Sequence, residues 1–296
     1  MKPSPRPPGL PPALLPVLLA LPAAACAPEL GPPASLIQGP RILAILSEPP
    51  ETFPKDPVRL RLYAVTPAGP LGDSDAEVEW SFCTDPKPPV QPNAAPDSCL
   101  AASVRPIPGT TLTVTASLPE DACSRFGPEP PPQQGPEIPR PRDPDPTGGY
   151  YQPVRARLNG QTALALLRIR CNLARATPQT AAEYRTRYTP NQNPHPLSLT
   201  RSPLPSSTSI TLRLTLTPDS QETFLTLNPA TQALEESQEQ LRVSWFTTTG
   251  TLSPSTTPAT QDSQTTWTPT EESPPSFWAV LRDSRGGSSV LFLPPP

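Results

Sequence analysis

The stretch Val58 to Val65, VRLRLYAV, decides the fold class of this chain. Its apolar residues recur at every second position, which is the period of a strand with one buried and one exposed face. The inward face would hold Val58, Leu60, Leu62 and Ala64. Glu77 to Phe82, EVEWSF, repeats the alternation and would turn its valine, tryptophan and phenylalanine inward. Two such segments so close together predict β-strands rather than helices.

A second block of alternating segments lies in the C-terminal third of the chain. Ile210 to Leu216, ITLRLTL, alternates cleanly, and Leu241 to Phe246, LRVSWF, has the same form as EVEWSF. A tryptophan-bearing strand therefore follows an alternating strand twice, at Trp80 and at Trp245. This repeated order predicts an all-β chain of two immunoglobulin-like β-sandwich domains instead of one large domain.

A hairpin is predicted between these blocks, where Asn159-Gly160 separates two apolar runs, Val154 to Leu158 and Thr162 to Arg170. Asn-Gly in this position is the strongest short signal for a tight turn between antiparallel strands. The leucines and alanines after the turn would also suit one face of a helix over Gln161 to Arg170. That helical alternative stays open from the sequence.

Proline accounts for 52 of the 296 residues, roughly three times its usual share of about 5%. Because proline fixes φ and removes a backbone donor, long regular helices are excluded over most of the chain. At about 119–149 the chain holds ten prolines and few apolar residues to form a core, so we predict a disordered insertion there. The net charge of −3 gives no basic surface for phosphate backbones, which excludes nucleic acid as a partner.

Residues 1–25 have the three parts of an export signal peptide. Lys2 and Arg6 supply the positive start, Leu14 to Leu21 supplies a short apolar run, and three alanines precede Cys26. The apolar run is shorter than the stretch of about 20 residues that spans a bilayer. We therefore predict an exported protein without an integral membrane helix.

Small residues directly before Cys26 resemble the bacterial lipobox, in which the cysteine receives a diacylglycerol before cleavage. The resemblance implies lipidation of Cys26 and attachment to a membrane through that lipid. The usual lipobox leucine is displaced here to Leu21, and the alanines at 23–25 also satisfy the A-x-A rule for plain secretion, so both processing routes stay open. Ala27 follows the cysteine where aspartate would signal inner-membrane retention, which implies the outer membrane as the destination.

The other four cysteines, Cys83, Cys99, Cys123 and Cys171, form an even set that an exported protein can pair as two disulfide bonds. Spacing alone permits three pairings. We favour Cys83 with Cys99 and Cys123 with Cys171, because each pair would close one proline-rich loop. The cysteines include no C-x-x-C pair, so we predict no metal site.

No set of residues in the sequence has the pattern of a catalytic site. His195 is the only histidine and lies between two prolines, where we expect a solvent-exposed side chain rather than a catalytic imidazole. Neighbouring carboxylates, Asp73 with Asp75 and Glu235 with Glu236, lie in polar runs that predict solvated turns. We predict no catalytic residue, no cofactor and no enzymatic activity.

The aromatic and glycine-rich positions can be interpreted as structural or as ligand-binding. Trp80, Trp245 and Trp278 alternate with apolar neighbours, which predicts burial, whereas Trp267 is the best candidate for an exposed, sugar-stacking ring. Asp283 to Gly287 forms a polar turn in which glycine permits positive φ. We expect a structural turn there, with a binding loop as the alternative.

The stretch RILAILSEPPE before VRLRLYAV, together with the tryptophan strand and its nearby cysteine, resembles surface lipoproteins of gliding, fruiting soil bacteria. In the C-terminal half, LRVSWFTTTGTLS, then TTWTP, then FWAVLRDSRGG resemble an immunoglobulin-like module. The resemblance covers most of residues 36–296 outside the proline-rich insertion. It implies a fold and a location, and it carries over no catalytic residues.

These observations combine into one predicted organisation. A signal peptide (1–25) precedes a lipid-anchor tether (26–40), a first sandwich with the proline-rich insertion (41–175), a linker (176–196) and a second sandwich (197–296). We expect a lipid-anchored surface protein with a structural or interaction role, whose partner is an unidentified protein or polysaccharide. The alternative is a secreted, non-lipidated adhesin or binding module.

Overall fold

A computed structural model describes residues 32–85, 97–127, 149–173, 176–204, 208–270 and 274–295. The chain divides into two units, residues 1–32 and residues 33–296, and the strands and helices of the described residues lie in the second unit. The predicted signal peptide, Cys26 and residues 128–148 of the predicted insertion lie outside the described residues. Within the described ranges, no helix is long and apolar enough to cross a membrane.

The secondary structure of the described residues is mainly strand. The strands up to residue 169 are β1 (Arg41–Glu48), β2 (Glu51–Thr52), β3 (Pro57–Thr66), β4 (Gly69–Pro70), β5 (Val78–Cys83), β6 (Val104–Pro106), β7 (Thr113–Ser117), β8 (Tyr151–Leu158) and β9 (Gln161–Ile169). The later strands are β10 (Pro196–Pro203), β11 (Ile210–Leu216), β12 (Thr223–Asn228), β13 (Ala233–Gln238), β14 (Leu241–Thr247), β15 (Thr251–Ser253), β16 (Thr256–Ala259), β17 (Asp262–Thr268), β18 (Phe277–Arg282) and β19 (Ser288–Leu293). The helices are α1 (Ser98–Ala101), α2 (Ala122–Phe126) and α3 (Pro178–Arg187), with a 3₁₀ turn at Asp73–Asp75.

The N-terminal half forms one sandwich of two sheets. In the first sheet β3 is central, with β1 along one edge and β4 and β7 along the other. The second sheet has the order β2-β9-β8-β5-β6. The inward residues predicted for β3 are all buried, and they pack in one cluster with Val78, Trp80 and Phe82 of β5.

The C-terminal half forms a second sandwich and a separate hairpin. Its sheets have the orders β10-β11-β17-β15 and β16-β14-β18-β19. The leucines of β11 and alternate residues of β14, including Trp245, enclose a core that is distinct from the first one. The hairpin β12-β13 contacts helix α3, where Leu225 packs with Tyr184 and Tyr188.

Strand β18 is buried on both faces and joins the two halves. Its residues Phe277, Ala279 and Leu281 face the second core. Trp278 and Val280 face the opposite way and pack with residues of β1 and β3, including Leu43 and Val65. The two sandwiches therefore share an apolar contact as well as having a core each.

The predicted class, all-β with immunoglobulin-like sandwiches, is confirmed. The helical alternative for residues 161–170 is wrong, because the segment is strand β9, paired with β8 along its full length. Asn159 and Gly160 both have positive φ, 47° and 77°, as a two-residue hairpin turn of the favoured type requires.

Three segments are more ordered than the sequence predicted. In the expected tether, Leu36 forms an isolated bridge with Thr247, and the apolar side chain of Ile37 is buried. The first residues of the expected insertion form α2, because Ala122 and Cys123 pack against the core. The expected linker carries α3, which Thr177 caps by accepting a hydrogen bond from the Thr180 amide.

Candidate functional site

A group of buried polar side chains lies where the two sandwiches and the β12-β13 hairpin meet. We call it the charged cluster. Its members are Glu51, Arg168, Tyr188, Asn191, Glu222, Glu239, Asp283 and Arg285. They come from six separate segments of the chain, and Glu51 and Arg285 are 234 positions apart in sequence.

Arg285 is the central cation of the charged cluster and is only 1% exposed. Its Nη2 lies 3.2 Å from Glu51 Oε2, and its Nη1 lies 3.3 Å from Glu239 Oε1 and 3.8 Å from Glu222 Oε2. The guanidinium also lies over the ring of Phe224, 4.6 Å from its centroid. A planar guanidinium is suited to this position, because it pairs with several carboxylates in its plane while its faces contact aromatic rings.

Glu51 is the carboxylate with the most partners in the charged cluster. Its Oε2 accepts hydrogen bonds from the Tyr188 hydroxyl at 2.7 Å and from the backbone N–H of Asn191 at 2.8 Å. Arg168 Nε lies 3.6 Å from the same oxygen. Arg285 Nη2 donates to the Tyr188 hydroxyl at 2.5 Å, so tyrosine links the cation to the carboxylate. Hydrogen bonds of this kind offset the cost of burying a charge.

Carboxylates outnumber guanidinium groups in the charged cluster, four to two. Burial raises the pKa of Glu239 to about 8, and the negative charge of the neighbouring Asp283 contributes to this rise. Burial likewise raises the pKa of Glu222 and of Asp283 above their ordinary values. Glu239 therefore retains a proton near neutral pH that the same side chain would release in water.

The turn from Asp283 to Gly287 presents Arg285 to the charged cluster. Asp283 Oδ1 accepts hydrogen bonds from the backbone amides of Arg285 and Gly287, both at 2.8 Å. Gly286 has φ +106°, a conformation that favours glycine. The structural interpretation of this turn is confirmed, since it fixes the backbone around a side chain that points inward.

A pocket of about 430 Å³ opens beside the charged cluster, and we call it the arginine–aromatic pocket. The pocket and the charged cluster share three residues, Glu51, Arg168 and Tyr188. The remaining lining residues are Phe53, Pro54, Cys123, Ile169, Arg170, Cys171, Asn172, Leu173, Ala181, Tyr184 and Arg185. Strand β9 supplies one wall and helix α3 supplies another, and the Tyr184 and Tyr188 rings lie 4.6 Å apart between their centroids.

The predicted cysteine pairs are present as two disulfide bonds. Cys83 bonds to Cys99 with the Cα atoms 5.3 Å apart, and Cys123 bonds to Cys171 with the Cα atoms 5.7 Å apart. The second disulfide lines the arginine–aromatic pocket and attaches α2 to the end of β9. Cys26, the predicted lipidation residue, lies outside the described residues.

The other predicted positions are separate from the pocket. His195 has an exposed side chain, as expected, and its backbone bonds to Ser220. Trp80, Trp245 and Trp278 are buried as predicted. The prediction that Trp267 is exposed is wrong: the ring is 6% exposed, and its Nε1 donates to the Thr249 carbonyl at 2.7 Å. It is buried because it packs edge-on against Phe277 in the second core.

Sequence reasoning missed the charged cluster, except for the turn that carries Arg285. Its acidic and basic members are single polar residues at the ends of strands or in loops, where solvent exposure is the ordinary expectation. Across the described ranges, no group of three or more histidine, cysteine, aspartate or glutamate side chains is arranged to hold a metal ion. The contacts present at the site are hydrogen bonds, charge pairs and aromatic contacts.

No protein-family model matches the sequence, and no curated protein matches it significantly. Among solved structures, the chain is similar to the D0-D1 domain of intimin, at 11% identity and a TM-score of 0.21, over 85% of this chain and 98% of that one. It is also similar to the D00-D0 domain of intimin, at 12% identity and a TM-score of 0.21, over 86% of this chain and 96% of that one. The Yersinia pseudotuberculosis adhesin InvE has 8% identity and a TM-score of 0.22, over 84% of this chain and 57% of that one. Scores this low carry no argument about function.

Proposed function

We propose that this chain is an exported protein, held at the outer membrane by a lipid on Cys26, that binds partners and catalyses no reaction. The observation that carries this proposal is the pair of disulfide bonds in the folded chain. Structural disulfides persist in oxidising compartments and are rare in the cytosol of ordinary bacteria. A chain that folds around two of them and begins with the features of an export signal is suited to the cell envelope.

The anchor is proposed from the sequence around Cys26. Three alanines directly before the cysteine fit lipoprotein processing, and Ala27 fits release to the outer membrane. The disulfides use the other four cysteines, so Cys26 is the one cysteine of the mature chain that no disulfide requires.

A non-catalytic role is supported by how the buried acids are used. Glu51 accepts hydrogen bonds from Tyr188 and Asn191, and Asp283 accepts two from the backbone of its own turn. General acid–base catalysis needs a carboxyl group that reaches a substrate proton. These groups instead bond to other parts of the fold. An interaction role is supported by the arginine–aromatic pocket, which has both an apolar wall and charged donors.

The test is to express the full-length protein in a Gram-negative host and to determine its N-terminal modification and its membrane location. We expect the intact mass of the mature chain to include acyl groups on Cys26, and the protein to partition into detergent. Cys26→Ser removes both properties, whereas Ala27→Asp keeps the acyl groups and shifts the protein to the inner membrane. An unmodified wild-type N-terminus in the soluble fraction contradicts the anchor and favours the secreted alternative, with cleavage after Ala25.

A further inference from the structure

The charges that line the arginine–aromatic pocket are mainly positive. Among the described residues, Arg168, Arg170 and Arg185 line it together with a single carboxylate, Glu51. That carboxylate is already paired with Arg285 from the charged cluster. The pocket is therefore locally cationic in a chain whose net charge is −3, and it favours a ligand with negative charge.

Arg170 is the side chain best placed to bind that charge. Its guanidinium lies over the Phe53 ring, 4.2 Å from the centroid, and 5.8 Å from the centroid of Tyr188. Among the described residues, no carboxylate forms an ion pair with Arg170 or with Arg185. An arginine held by its faces on aromatic rings presents its N–H edge, which matches the two oxygens of a carboxylate.

The shape of the site favours a ring-shaped ligand over an extended peptide. A peptide that adds a strand needs a free sheet edge. At the pocket the outermost strand is β2, which pairs with β9 through only two residues, Glu51 and Thr52, so the edge is too short to hold an extended peptide. A volume of about 430 Å³ lies within the range for small-ligand sites, and Phe53, 47% exposed, offers an apolar ring surface at the mouth.

We infer that the arginine–aromatic pocket binds saccharides that carry carboxylate groups, with Arg170 as the contact to the carboxylate and Phe53 as the contact to the sugar ring. This inference rests on the proposed interaction role and specifies its partner as an acidic polysaccharide. It does not depend on the lipid anchor, because the pocket lies in the folded unit.

The test uses the full mature chain with Cys26→Ser, purified as a soluble, oxidised protein, so that a failure of anchoring cannot affect it. Three probes distinguish the contribution of the sugar ring from that of the carboxylate. Polygalacturonate has both, its methyl ester has the ring without the charge, and poly-L-glutamate has the charge without the ring. Calorimetric titration at about 150 mM salt limits non-specific attraction between exposed charges. We expect binding of polygalacturonate, at least ten-fold weaker binding of the uncharged ester, and at least ten-fold weaker binding of poly-L-glutamate.

Two variants and one matched control locate the site. Arg170→Gln should weaken polygalacturonate binding about ten-fold or more, because it removes a charge-assisted hydrogen bond to the ligand carboxylate. Phe53→Ala should weaken it by a smaller factor. Arg59→Gln removes an exposed arginine of β3 outside the pocket and should leave the affinity within two-fold, roughly the limit for a single screened surface charge. Thermal unfolding of each variant shows that the fold is intact.

Several results would overturn the inference. Equal affinity for the methyl ester would exclude the carboxylate contact, and equal affinity for poly-L-glutamate would exclude a saccharide as the ligand. A loss with Arg59→Gln as large as that with Arg170→Gln would show general charge attraction. Absence of binding to polygalacturonate by a folded, oxidised protein would also overturn it, while leaving the export and anchoring proposal to its own test.

Discussion

Replacing Arg285 with methionine tests whether the charged cluster depends on its central cation. Methionine keeps much of the side-chain length beside Phe224 but removes the charge that lies 3.2 Å from Glu51 and 3.3 Å from Glu239. The side chains of Glu51 and Glu239 are 3% and 1% exposed, so water cannot replace the lost partner. With the pKa of Glu239 at about 8, the ion pair lost at pH 7 is mainly the one with Glu51. Removing one member of a buried ion pair costs about 3–5 kcal/mol. We expect the free energy of unfolding at pH 7 to fall by about 4 kcal/mol.

The loss should depend on pH with a defined sign. Arg285 lowers the pKa of Glu222 and of Glu239, so without it both pKa values rise further and the folded variant binds more protons than folded wild type. Stability rises as pH falls wherever the folded state binds more protons. The difference between wild type and Arg285→Met should therefore be smaller at pH 5 than at pH 7. Urea unfolding followed by both tryptophan fluorescence and circular dichroism measures it and checks that the transition is two-state.

Two further variants control this experiment. Arg213→Met removes an exposed arginine that pairs with Asp262, and exposed pairs contribute at most about 1 kcal/mol. Adding Glu51→Gln to Arg285→Met removes the buried carboxylate that has lost its Arg285 partner and should recover more than about 1 kcal/mol. A loss at pH 7 no larger than that of Arg213→Met, or a loss that does not change between pH 5 and pH 7, would refute the reasoning.

Three other perturbations have expected outcomes. Because the pKa of Glu239 is raised to about 8, the free energy of unfolding of wild type should decrease as pH rises from about 4.5 to 8. Glu239→Gln mimics the protonated form, so its free energy of unfolding, measured with urea, should change less with pH. Equal pH dependence in the two proteins would contradict this. Replacing Cys123 and Cys171 with serine removes a disulfide between residues 48 positions apart and should lower the free energy of unfolding by about 4 kcal/mol in the same assay. Unchanged stability would show that this disulfide does not form in the cell. Gly250→Ala should lower the free energy of unfolding by more than about 1 kcal/mol and shift the fluorescence of Trp267. The reason is that φ of Gly250 is +73° and that an added Cβ would meet the Trp267 ring. Unchanged stability and emission would exclude this clash.

The strands with clean alternation or an apolar run could be predicted because each of them carries its own local signal. Alternation in β3 and β5 specified which side chains enter the first core, and all of them do. The Asn159-Gly160 turn specified a hairpin, since its φ values suit those two residues. Packing around Trp267 could not be predicted in the same way, because the ring is covered by Phe277 and the turn at Gly250, which approach it only in the folded sandwich.

The charged cluster could not be predicted because no local pattern marks it. Glu51 follows two prolines, and Arg168 looks like the polar position of an alternating strand. Their burial arises from the approach of α3 and the Asp283–Gly287 turn, which are far away in sequence. Tertiary contact of this kind can be inferred only when the relative placement of the sandwiches is known.

The joining of the two sandwiches did have a sequence signal, at β18. A strand with one buried face needs apolar side chains only at alternate positions, whereas Phe277 to Leu281, FWAVL, is apolar at five consecutive positions. The extra apolar residues, Trp278 and Val280, are those that pack against β1 and β3. A separate second sandwich would expose these two side chains to water, so the apolar run requires a partner surface. The tryptophan on that face therefore stabilises the association of the two halves, and the charged cluster lies where they meet.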